Sequence, residues 1–193
     1  MPTFSWTGFY LGRNGGYDFG SSSWTPVGGT GTCNFNPSGW LVGGQIGANW
    51  QISAFVLGAE ADLDWASLKG SAGVTPCNTT PGIGGPTSTC QTAQSWLGTG
   101  RARLGVAADR VLFFLTVGVA YGNEKLTETP GTDTLTRVGW TGGGGVEAAF
   151  TPNWTAKVEY LYVSLGTGQC RLSATTCTAT INVPLTENLI RWV

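Results

Sequence analysis

The chain has 193 residues, ten Lys/Arg against eleven Asp/Glu, and a formal net charge of −1. Charged residues make up 11% of it, against about a quarter in ordinary soluble domains, and no apolar run reaches the roughly 18 residues of a transmembrane helix. The charge balance leaves no basic patch for nucleic acid, and the absence of histidine removes the commonest general base, metal ligand and haem ligand.

Eight strand candidates follow one another: Thr7–Phe19, Gly39–Trp50, Phe55–Leu68, Gln94–Ala107, Val111–Asn123, Leu135–Phe150, Trp154–Leu165 and Leu185–Val193. The physical signal is a side-chain period of two, because successive Cβ atoms on a strand point to opposite faces. The first strand is ambiguous, since Arg13 shares a parity with Phe9 and Leu11. In the second, Trp40, Val42, Ile46, Ala48 and Trp50 oppose Gly43, Gln45, Gly47 and Asn49. The third sets Phe55, Leu57, Ala59, Ala61, Leu63 and Trp65 against Gly58, Glu60, Asp62 and Asp64. The fourth sets Trp96, Ala102, Leu104 and Val106 against Arg101 and Arg103. In the fifth, Val111, Phe113, Leu115, Val117, Val119 and Tyr121 oppose Thr116, Gly118, Ala120 and Gly122.

The sixth and seventh strands form the most informative stretch, a hairpin over Val138–Gly166 with the short turn Thr151–Asn153. Glu147 lies among Gly139, Gly143 and Gly145 on one arm. On the other, Trp154, Ala156, Val158, Tyr160 and Tyr162 share a parity opposite Thr155, Lys157, Glu159 and Leu161. The last strand places Glu187 with Arg191, opposite Ile190 and Trp192. Such arms are too long for most globular sheets and suit a membrane-spanning barrel.

Short links (Gln51–Ala54, Ala108–Arg110, Thr151–Asn153) alternate with long ones (Gly20–Ser38, Lys69–Ala93, Glu124–Thr134, Gly166–Pro184) rich in Gly, Ser, Thr and Pro. This alternation predicts a single all-β domain spanning 1–193, an eight-stranded antiparallel up-and-down transmembrane β-barrel with short periplasmic turns and four long extracellular loops. A lipocalin-like soluble carrier shares the alternation with its apolar face turned inward. Aromatics near strand ends favour the membrane reading: Trp40, Trp50, Trp65, Trp96, Trp140, Trp154, Tyr160, Tyr162 and Trp192 are the expected girdle residues. A soluble barrel would also need a more charged exterior than this composition gives.

Four segments carry a family resemblance: GFYLGRNGGYDFG at Gly8–Gly20, SWLGTGRARLGVAADR at Ser95–Arg110, GVAYG at Gly118–Gly122 and TPNWTAKVEYLYVSLG at Thr151–Gly166. Together the chain resembles the small outer-membrane β-barrel family of Gram-negative bacteria, which includes major surface antigens and porin-like opacity proteins with an OmpA-like membrane domain. The resemblance implies export to the outer membrane and transfers no catalytic residue. Members are mostly structural proteins and antigens; some are called porins and a few are described as haem-binding. Pro2, Thr3, Phe4 and Ser5 lack the pattern of a secretory signal, so a mature form is expected. Family members usually end several residues further on at a terminal aromatic, so the last strand, stopping at Arg191, Trp192 and Val193, is expected to be short.

The charged face is the candidate site. Glu60, Asp62 and Asp64 have the chemistry of a hard-cation site, but buried charges are normally paired. They are therefore expected to meet Arg101 and Arg103 on the neighbouring strand, with Glu147, Lys157, Glu159, Glu187 and Arg191 continuing the network. An eight-stranded interior is just wide enough for side chains, so such a network would act as a plug. No cofactor or metal is expected. Gly142–Gly145 lacks the Lys-Ser/Thr of a phosphate loop and reads as room for bulky neighbours. Five cysteines fall in the long links, with Cys77–Cys90 and Cys170–Cys177 the economical pairs and Cys33 left over. Pairing between loops is an alternative.

The function expected is a non-enzymatic structural and surface protein in contact with outer-membrane lipid and lipopolysaccharide, its loops available to neighbouring envelope or surface proteins. A narrow porin-like channel and a loop-borne binding site for a partner protein or haem are the alternatives.

Overall fold

The computed structural model describes residues 4–26, 33–72, 90–128, 131–170 and 181–193, with side chains described over 4–21, 36–70, 93–123, 136–166 and 184–193. The strands are β1 (Gly8–Pro26), β2 (Cys33–Phe35), β3 (Ser38–Ile52), β4 (Phe55–Ala72), β5 (Cys90–Ala108), β6 (Val111–Glu128), β7 (Gly131–Ala149), β8 (Thr155–Cys170) and β9 (Ile181–Trp192). Each pairs antiparallel with its neighbours, and β9 returns to β1. β2 continues β3 along the same side of β1 across Asn36 and Pro37, so the closed wall has eight staves.

At one end, the turn end, the links are tight. Ile52 pairs with Phe55 and Ala108 with Val111, leaving two residues in each turn. The first central residues, Ser53 (φ 57°) and Asp109 (φ 54°), take up the positive φ such turns require. At the opposite, far end the strands run beyond their expected limits. β6 and β7 stay paired from Lys125–Thr134 out to Glu128–Gly131, so most of the stretch expected as a Glu124–Thr134 loop is ladder. Cys33, Cys90 and Cys170, expected in loops, lie by backbone in β2, β5 and β8. Polar strand ends carry no apolar alternation, so the period of two underestimates them. The proposed cysteine pairs lie outside the described residues, as do Cys77 and Cys177 altogether.

Register shifts between Trp65 and Leu68, Gln94 and Leu97, and Ser164 and Thr167 interrupt the ladders towards the far end. Gly166 provides φ +69° at the last of these bulges, a conformation costly for other residues. β9 meets β1 only from Trp192–Gly15 upward. Below that level β1 pairs with β3 alone among the described strands.

The two faces separate cleanly. Phe9, Leu11, Ile46, Leu115, Val117 and Val138 point outward and are exposed. The same parity carries Arg13 outward, which resolves the ambiguity of the first strand: Tyr10, Asn14 and Asp18 point inward. The interior is layered. Trp6, Val56, Leu112 and Ala149 form an apolar floor at the turn end. A second apolar layer, including Leu41, Leu97, Leu161, Val163, Leu185 and Leu189, lies towards the far end. Charged groups fill the space between. Small residues on β7 make this possible: a Cβ on Gly143 would strike the Tyr160 carbonyl, and one on Gly145 would strike the Val158 carbonyl.

Candidate functional site

Alternation places the charged groups two residues apart on the inward face, and register brings the strands together. Glu60 is directly opposite Arg101, Glu147 opposite Lys157, and Glu159 opposite Arg191. Arg191 is the hub. Its guanidinium meets Asp64 at 2.6 Å, Asp62 at 3.0 Å and Glu159 at 2.8 Å. Arg101 binds Glu60, Asp62 at 2.8 Å and Glu159 at 3.2 Å. Thr99 adds a hydroxyl donated to Asp62 at 2.6 Å. Lys157 reaches Glu60 at 2.9 Å and Glu159 at 3.5 Å, and donates to Gln45 at 2.9 Å.

Arg103 departs from the expected neighbour pairing. It reaches over β6 to Glu147 on β7, with its guanidinium 3.9 Å over the Phe114 ring. Tyr10 joins this pair to the rest: its hydroxyl donates to Glu60 at 2.7 Å and accepts from Arg103 at 3.4 Å. Glu60, Asp62, Asp64, Arg101, Arg103, Glu147, Lys157, Glu159 and Arg191, all expected in the network, are therefore linked through these contacts and one tyrosine. Glu187 is buried nearer the far end, opposite Gly20 and Val163. Tyr10, Thr99 and Gln45 were missed by the sequence reading, and only their inward parity could have found them. Arg137 is also buried towards the far end.

With Asp62, Asp64, Glu60 and Glu159 engaged by guanidinium and ammonium groups, the arrangement is one of mutual neutralisation. Among the described residues no group of three or more acids and cysteines has the geometry to hold a metal ion. Low dielectric strengthens each pair, while burial costs each ion its water; the network holds because most of its charges have two or three opposite partners.

The outer face carries the aromatics in two rings. Towards the far end Tyr17 packs edge-on to Trp40 (5.1 Å), Trp96 to Tyr121 (5.9 Å), and Trp140 lies against Tyr162 (5.3 Å). Trp65 pairs with Trp96 in the same ring. Trp50 and Trp154 are exposed at the turn end beside Phe55 and Phe150. Tyr160 and Trp192 belong to neither ring. Their register, opposite Gly144 and Gly15, puts them midway along the wall, where Tyr160 donates its hydroxyl to Asn188 at 2.5 Å.

Comparison with known proteins matches residues 3–183 to the family described as outer membrane protein beta-barrel domain. The 31 kDa outer-membrane immunogenic protein of Brucella melitensis is 38% identical over 184 residues, covering 86% of this chain and 74% of its own. The 25 kDa outer-membrane immunogenic protein of Brucella abortus is 31% identical, covering 91% of this chain and 73% of its own. Among solved structures, the attachment invasion locus protein Ail of Yersinia pestis aligns over 96% of this chain and 99% of its own, at 11% identity and a TM-score of 0.41.

Proposed function

Because the chain belongs to the outer-membrane β-barrel family, we propose that it serves as a non-enzymatic structural barrel with a filled lumen, presenting its outer loops to neighbouring envelope or surface proteins. It is an outer-membrane protein, and in such barrels tight turns face the periplasm while longer connections face outward. The observation that carries the reading is the stack of apolar floor, buried ion network and apolar upper layer, which packs the interior of an eight-stave wall from its middle towards the far end. The absence of histidine and the engagement of the buried acids in ion pairs support a non-catalytic role. Two outward aromatic rings separated by aliphatic wall fit contact with lipid acyl chains between the interfaces and with lipopolysaccharide outside. Liposome swelling with a small sugar tests the filled lumen: uptake should match protein-free vesicles, and rapid swelling would overturn it.

A narrow ion conductance is the second reading. It is favoured by a cavity of about 1580 Å³ at the turn end that reaches Glu60, Arg101, Glu147 and Lys157. Small steady current steps in planar bilayers, without sugar uptake, would select it.

A further inference from the structure

The residues before β1 do not simply lead into the wall. Phe4–Thr7 cross the turn end from inside, outside any ladder. Trp6 is buried against Val56, Leu112 and Ala149, residues of β4, β6 and β7, none of which pairs with β1. Its indole donates to the Asp109 carbonyl at 3.2 Å, in the turn between β5 and β6. Its backbone N–H donates to Gln51 Oε1 at 2.8 Å, and the Gln51 N–H donates back to Thr7 Oγ1 at 3.0 Å. Phe4 stacks edge-on against Trp6 at 4.9 Å. Beyond the floor so completed, Phe114 and the Arg103–Glu147 pair are the next inward groups.

We propose that Phe4–Thr7 is a strap that covers the apolar floor at the periplasmic end of the barrel, with Trp6 as its plug and the Gln51–Thr7 exchange as its catch. The wall does not depend on it, because every stave keeps its own ladder when the strap lifts. An amphipathic indole suits the place: its ring fills the apolar floor while its N–H satisfies a turn carbonyl at the wet rim. What the strap controls is access of periplasmic water and small solutes to the floor residues beneath it; the cavity beside it, which reaches Glu60, Arg101, Glu147 and Lys157, stays open with the strap in place.

The test follows thiol access to the floor in the full chain, refolded in detergent micelles. Leu112→Cys places a thiol at a fully covered floor position, and labelling by a charged methanethiosulfonate is read by peptide mapping, which separates it from the natural cysteines. Adding Trp6→Ala should speed labelling by about tenfold or more, and adding Thr7→Val, which removes the catch hydroxyl, should speed it severalfold, as expected when a local cover opens without global unfolding. Both should keep the heat-modifiable mobility of a folded barrel. Unchanged labelling in either background overturns the cover. Loss of the folded band with either substitution also overturns it, since the strap would then belong to the frame.

Discussion

The Arg191 side chain is fully buried and is met by three carboxylates, those of Asp62, Asp64 and Glu159. Removing it strands buried negative charges, and breaking a buried pair in this way costs about 3–5 kcal/mol. Arg191→Met should therefore lower the urea midpoint of the refolded barrel by a corresponding margin, read by the mobility of the folded form. Arg13 presents the opposite problem. It stands on the lipid-facing side between Leu11 and Gly15, with no carboxylate partner among the described residues. An arginine facing lipid costs about 2–4 kcal/mol at the midplane and little near an interface. Arg13→Leu should stabilise the barrel in bilayers by about 1–3 kcal/mol in the same urea assay. Parity named the inward acids and bases from sequence, but it fixes only a side. That Arg103 would reach over β6 to Glu147, leaving Arg101 to serve Glu60 and Asp62, depends on distances between non-adjacent strands that alternation does not encode.

The strands show where close approach is enforced. A Cβ added at inward Gly143 meets the Tyr160 carbonyl, whereas one at outward Gly100 has only Val119 Cγ2 at 3.8 Å. Gly143→Ala should destabilise the fold by about 1 kcal/mol or more, while Gly100→Ala should be neutral or stabilising by up to about 1 kcal/mol. Paired urea unfolding of the two variants checks the contrast. In the tight turns, Ser53 and Asp109 hold positive φ without being glycine, a conformation that costs an L-residue about 1–2 kcal/mol. Strand identity was legible because lipid on one side and a packed lumen on the other impose strict alternation. The far-end extensions were not, for there Thr, Gly and Ser follow one another without a strong apolar period. The three bulges also escaped, because an extra residue shifts parity only locally and the sequence around Trp65 or Trp96 carries no turn signal.

Over the whole molecule the wall was readable and its filling was read only in part. Leu161 was seen on the charged face, yet Leu41, Leu97, Leu185 and Leu189 join it as an apolar layer above the ions. Inward leucines do not stand out when a narrow barrel alternates apolar residues on both faces. Trp6 was equally hidden, since it precedes the first strand and its partners come from distant turns. These layers are what the proposed function rests on, because apolar side chains on both sides of the network oppose a continuous wet path along the barrel. Planar-bilayer recording of the refolded full chain tests this most directly. A closed lumen, as proposed, predicts traces indistinguishable from bare bilayer in molar potassium chloride; regular long-lived openings of the native protein would contradict it.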